Sequence, residues 1–227
     1  MKLSLSILGL IALCCLSEAL FLRLRRRGRH GKALVFKGLA SLFFCLLGLM
    51  AAVNTGTSYG WLIFSGLCIG FVGDLLLGLR KLFPLHRDLC FLAGAAAFCL
   101  GHVLYLLALG TQHKSLLLPS LPIFLLLVLG SELFARESGF SRGKMHLPGL
   151  FYIGVEALLC ACSLTLLSRR PGSFSLVLAL GGICFLVSDN LLCAFSFGHL
   201  RSTFVDRLLH ITYLAAQLCI GLSIFFL

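Results

Sequence analysis

Two aspartates stand deep inside apolar runs long enough to cross a membrane. Asp74 lies in Gly66 to Leu79 (GLCIGFVGDLLLGL) and Asp189 in Gly181 to Ala194 (GGICFLVSDNLLCA). The two stretches share a leading glycine, a valine two places before the aspartate, a small residue just before it and a Leu-Leu pair after it. An ionised carboxylate is costly in hydrocarbon, so it persists where it faces a protein interior or a wet cavity, and it marks a functional site. Two carboxyls in unequal surroundings form an acid–base device: the drier one keeps its proton and donates it, while the other stays ionised and activates water. That chemistry suits hydrolysis of an acid-labile bond through an oxocarbenium-like ion. Asp74 follows Gly73 on a face with no other hydrogen-bonding side chain nearby, so the sequence casts it as the general acid. Asp189, between Ser188 and Asn190, is cast as general base and cation stabiliser.

Composition says what must position them. Of 227 residues, 59% are hydrophobic and 12% charged, with a mean hydropathy of +1.05. Soluble domains are about half apolar and a quarter charged, so the chain reads as an all-α, polytopic membrane protein. Eight apolar segments are expected at about 3–22, 33–53, 60–79, 89–109, 115–134, 147–167, 173–195 and 204–227, each near the length of a spanning helix. No linker is long enough for a second domain, so residues 1–227 are expected to form a single integral membrane domain. The five prolines are expected in linkers or at segment starts. The first segment has its basic block (Arg23 to Arg29) after it, the reverse of a secretory signal, and reads as a retained helix. Fourteen lysines and arginines fall in the linkers after segments 1, 3, 5 and 7; four (Lys2, Lys114, Arg169 and Arg170) fall on the other side. By the positive-inside rule the odd-numbered linkers are cytoplasmic and both termini are not. That same bias accounts for the net charge of +11, so nucleic acid is not expected as a partner. The eleven cysteines, lacking any C-x-x-C pair, read as small buried hydrophobes.

A duplicated, parallel four-helix unit would explain the paired aspartate frames, and an H-x-x-Y pair recurs at His102/Tyr105 and His210/Tyr213. Parallel repeats also build transporters, so duplication alone does not specify an enzyme. Helix rise places Asp74, six residues before Arg80, about 9 Å from the cytoplasmic end, and Asp189 roughly 10–13 Å from it. Lys37 falls at roughly 8 Å on the same side, near enough in depth to pair with either aspartate or to snorkel to the interface. Asp206, His210, Tyr213 and Gln217 form one stripe on the last helix, and Tyr152 and Glu156 lie one turn apart on the sixth. Each of these also fits a plain interhelical hydrogen bond. Glu18 and Glu132 read as interface ion pairs with the arginines that follow them. There is no G-x-S-x-G, P-loop, H-E-x-x-H or cysteine ligand set. No metal and no cofactor is therefore expected.

Taken together, GFVGDLLLGL, FLAGAAAFCLGHVLYLLALG, GGICFLVSDNLLCAF and ITYLAAQLCIGLS resemble the YhhN-like membrane proteins, the lysoplasmalogenase family. The resemblance spans nearly the whole chain and includes Lys37, although the family's lysine is usually followed by proline and here by Gly38. It implies about eight spanning helices and hydrolysis of the vinyl ether bond of a lysoplasmalogen to a fatty aldehyde and a glycerophospho-base. The implied partners are a lysophospholipid substrate and the membrane lipids. By that resemblance Asp74 and Asp189 are the catalytic candidates, with Lys37, His102, Tyr105, Tyr213 and Gln217 binding substrate. Two other readings compete: a transporter or lipid-binding protein whose carboxylates bind protons or a cation, and an intramembrane aspartyl protease. Against the protease, Gly70 to Asp74 reads GFVGD and lacks the G-x-G-D spacing.

Overall fold

A computed structural model describes residues 5–139 and 146–227. Among them are eight α-helices: α1 (Leu5–Arg26), α2 (His30–Thr55), α3 (Ser58–Leu79), α4 (Arg87–Gln112), α5 (Leu117–Glu137), α6 (His146–Arg169), α7 (Ser173–Phe197) and α8 (Thr203–Ser223). All eight are long and apolar enough to span a bilayer, and the described residues include no strand. The protein is an all-α, polytopic membrane protein. Lys2, Arg142 and Lys144, which enter the charge asymmetry, lie outside the described residues.

Local chemistry sets the helix ends. Gly56 takes a left-handed conformation (φ 62°) and its N–H closes α2 on Ala52 O. The next residue, Thr57, caps α3 by accepting from Gly60 N at 3.1 Å. One helix therefore ends and the next begins within two residues. Ser202 caps α8 in the same way through Val205 N. Pro122 departs from expectation, because it lies inside α5 rather than in a linker or at its start. Membrane-spanning helices tolerate proline because neighbouring groups re-satisfy the freed backbone.

The chain divides into two compact units, Met1–Ala108 and Leu109–Leu227. In the first, α1 packs on α2 and α2 on α3. Glycines bring α3 and α4 together: a Cβ on Gly66 would lie 3.1 Å from Gly101 O and overlap the Tyr105 ring, and one on Gly101 would lie 3.2 Å from Gly66 O. Small residues are how helices approach closely where lipid offers no hydrophobic drive. In the second unit α5 packs on α6, α6 on α7 and α7 on α8. Adjacent glycines serve opposite neighbours there: Gly181 admits Ile220 of α8, and Gly182 admits Cys160 and Ser163 of α6.

Candidate functional site

In the first unit three helices bring their charges to one point. Lys37 Nζ on α2 stands 3.3 and 3.4 Å from the two carboxylate oxygens of Glu18 on α1. It is also 3.4 Å from Asp74 Oδ1 on α3. Ser41, one turn after Lys37, donates its hydroxyl to Asp74 Oδ2 at 2.5 Å. All four residues are buried; Lys37 is 5% exposed. Bare charges at such burial would cost several kcal/mol each, and pairing with hydrogen bonding is what makes them tolerable. The Phe21 ring lies 5.5 Å from Lys37 Nζ and adds a cation–π contact.

Lys37 is thus an internal ion-pair partner rather than a snorkelling interface residue. Asp74 does have hydrogen-bonding neighbours, contrary to expectation. These are the Ser41 hydroxyl and the Lys37 ammonium. Glu18, read from sequence as a partner for the arginine block, is a partner of Lys37.

On α4, His102 and Tyr105 are buried with their rings edge-to-face, 5.9 Å apart at 81°. His102 Nδ1 is 2.8 Å from Phe98 O, which requires the proton on that nitrogen. Tyr105 fills the space opened by Gly66.

The second unit holds its own polar cluster. Asp189 on α7 is buried and accepts a hydrogen bond from the Tyr152 hydroxyl of α6. Glu156, one turn beyond Tyr152, is 1% exposed, and neither carboxylate oxygen has a hydrogen-bond partner among the described residues. It stands within electrostatic reach of Asp189. The flanking residues do not serve Asp189 as expected: Ser188 donates to Leu209 O at 3.0 Å, and Asn190 donates to Leu186 O at 2.7 Å and to Ser131 at 3.1 Å. On α8, Gln217 donates to the Tyr213 hydroxyl at 2.9 Å, and Tyr213 meets Phe185 edge-to-face at 5.9 Å.

The structure therefore joins Lys37 to Asp74, His102 to Tyr105, and Tyr213 to Gln217. It adds Ser41 beside Asp74, Glu18 beside Lys37, and Tyr152 and Glu156 beside Asp189. Spacing held clues to the additions: Ile7, Cys14, Glu18 and Phe21 are among the buried residues of α1 at helical intervals, and Ser41 follows Lys37 by four. No group of three His, Cys, Asp or Glu among the described residues is placed to hold a metal ion.

Comparison with known families gives one match, the YhhN family, over residues 32–224. No curated protein and no solved structure matches the chain.

Proposed function

The chain belongs to the YhhN family, and from that membership and its buried carboxyl clusters we propose that it is a lysoplasmalogenase-like hydrolase, cleaving the vinyl ether bond of a lysoplasmalogen. The observation that carries this reading is the pair of intramembrane aspartates set in unlike polar surroundings, one beside a cation and a hydroxyl, the other beside a phenol and a second carboxyl.

Vinyl ether hydrolysis needs a proton delivered to the enol carbon. The C=C electron pair takes that proton and leaves an oxocarbenium ion. Water then adds to the cationic carbon and loses a proton, and the hemiacetal collapses to a fatty aldehyde and the free glycerol hydroxyl. Asp189 suits the first step, standing beside the Glu156 carboxyl and accepting from the Tyr152 hydroxyl. Asp74, beside the Lys37 ammonium and the Ser41 hydroxyl, has the surroundings of a base for water. These roles reverse those suggested by sequence alone. His102, Tyr105, Tyr213 and Gln217 would orient water or the glycerol oxygens, and Lys37 would tune Asp74.

The test is aldehyde release from a lysoplasmalogen by the purified protein. Wild type is expected to turn over. Asp74→Asn and Asp189→Asn are each expected to lose about 10²–10⁴ in rate, as when a positioned acid or base is removed, while still binding a saturated 1-alkyl lysolipid. Near-normal turnover in either variant would end the two-aspartate mechanism. Loss of lipid binding instead would favour the transporter or binding-protein reading.

A further inference from the structure

Within the second unit, α5 and α7 both pack on α6 and only lightly on each other. Between them runs a groove of about 290 Å³, walled by Leu126, Leu127 and Gly130 of α5 and by Leu186 and Val187 of α7. Leu126, Gly130 and Val187 are exposed, while Leu186 is buried. All five lie inside spanning segments, so the groove opens on hydrocarbon rather than on water. Gly130 adds to its width. Glycine weakens a helix interior. Gly66 and Gly181 offset that loss by admitting a neighbouring helix, whereas a Cβ on Gly130 would meet nothing within 4 Å. The room left by its missing side chain belongs to the groove.

One polar pair, Ser131 and Asn190, interrupts the apolar lining. Asn190 Nδ2 donates to Leu186 O at 2.7 Å and to Ser131 Oγ at 3.1 Å. A carbonyl only accepts, so the amide nitrogen is fixed on that side and both of its hydrogens are used. Neither residue makes a further hydrogen bond among the described residues. The pair therefore keeps one acceptor, Asn190 Oδ1, and one donor, the Ser131 hydroxyl hydrogen. An acceptor beside a donor is the complement of an alcohol, which donates and accepts through a single oxygen. The glycerol of a diacyl lipid has no free alcohol. That of a lysolipid has one at sn-2, on the carbon next to the one bearing the sn-1 oxygen. Asn190 directly follows Asp189 in α7, so a hydroxyl held there sets the sn-1 linkage at the depth of Asp189. Leu127 and Leu186 each lie four residues before their polar neighbour, about 6 Å further along the helix, which is where the chain continues.

We propose that the groove between α5 and α7 holds the hydrocarbon chain of a lysolipid while Ser131 and Asn190 bind its free glycerol hydroxyl, selecting single-chain over two-chain lipid. The inference rests on the lipid-substrate reading above and adds to it the part of the substrate that is recognised and the residues that recognise it.

The experiment compares binding of a non-hydrolysable 1-alkyl lysophosphatidylcholine with that of its 2-deoxy counterpart, using full-length protein in nanodiscs of diacyl lipid. Wild type is expected to prefer the hydroxyl-bearing lipid by about fivefold or more, the scale of one net hydrogen bond. Ser131→Ala and Asn190→Leu are each expected to shrink that ratio toward one while leaving affinity for the 2-deoxy lipid unchanged. Ser131→Ala carries the same test should Asn190→Leu fail to insert. Gly130→Phe fills the groove and is expected to weaken both lipids by about tenfold, as extra bulk in an occupied apolar space does. Gly110→Phe, equally free of neighbours but outside the groove, is expected to bind as wild type does. No preference in wild type, an unchanged ratio in both polar variants, or a parallel loss for both lipids in those variants would each overturn the proposal. Undiminished binding by Gly130→Phe would leave the groove to bilayer lipid and overturn it as well. Since neither ligand is hydrolysed, absence of aldehyde release with the preference intact would sink the hydrolase reading alone.

Discussion

Lys37 holds Glu18 and Asp74 at one point, and the balance of that trio is testable. Lys37→Met would leave two buried carboxylates around an apolar side chain, and removing one partner of a buried ion pair costs about 3–5 kcal/mol. Thermal unfolding in detergent should show a large loss for Lys37→Met and a smaller one for Glu18→Gln, in which the Lys37–Asp74 pair survives. Equal, negligible shifts would mean that the trio contributes little. Glu156 should behave oppositely. Its carboxylate is buried and neither oxygen is hydrogen-bonded among the described residues, so Glu156→Met removes an unsatisfied group worth about 1–3 kcal/mol. It should raise the melting temperature while lowering aldehyde release; unchanged turnover would remove Glu156 from the mechanism. Sequence made Asp74, Lys37 and Asp189 conspicuous because charge inside an apolar run is rare. It could not assign their partners. Ser41 meets Asp74, and Glu18 meets Lys37, only through the packing of three helices, and Ser188 and Asn190, adjacent to Asp189 in sequence, point their hydrogen bonds elsewhere.

At the scale of helices, hydropathy located every span to within a few residues, because length and apolarity are what a bilayer selects. The ends moved where polar residues continue a helix into the interface, as α1 does through Arg25 and Arg26. Contacts between helices were less legible. The glycine in each aspartate frame reads as mere similarity until Gly66 proves to admit Tyr105 and Gly101, and Gly181 to admit Ile220. Gly66→Ala should therefore push α4 from α3 and destabilise by about 1–3 kcal/mol, as overpacking of a close contact does. Gly110, with nothing within 4 Å of an added Cβ, is the control, and Gly110→Ala should leave the melting temperature nearly unchanged. Equal effects at the two positions would contradict the close-contact account.

For the whole molecule, the excess of lysine and arginine in the odd-numbered linkers predicts orientation. A reporter fused after Leu227 should be non-cytoplasmic and one inserted near Ser138 cytoplasmic; the reverse pattern would contradict the orientation that the charge asymmetry predicts. The polar clusters of the two compact units differ in composition, an ion-paired trio in one and a phenol with two carboxyls in the other. Unlike surroundings for like residues are what an acid and a base require. Chelators should leave turnover intact; loss restored by one divalent ion would make the aspartates metal ligands. The most direct test of carboxyl-driven vinyl ether hydrolysis is turnover of a lysoplasmalogen in deuterium oxide, with the aldehyde trapped and weighed by mass spectrometry. Protonation of the enol carbon predicts a full-length fatty aldehyde carrying one deuterium next to the carbonyl, formed by wild type and nearly abolished in Asp189→Asn. A full-length aldehyde without that deuterium, a shortened aldehyde, or undiminished release from Asp189→Asn would contradict it.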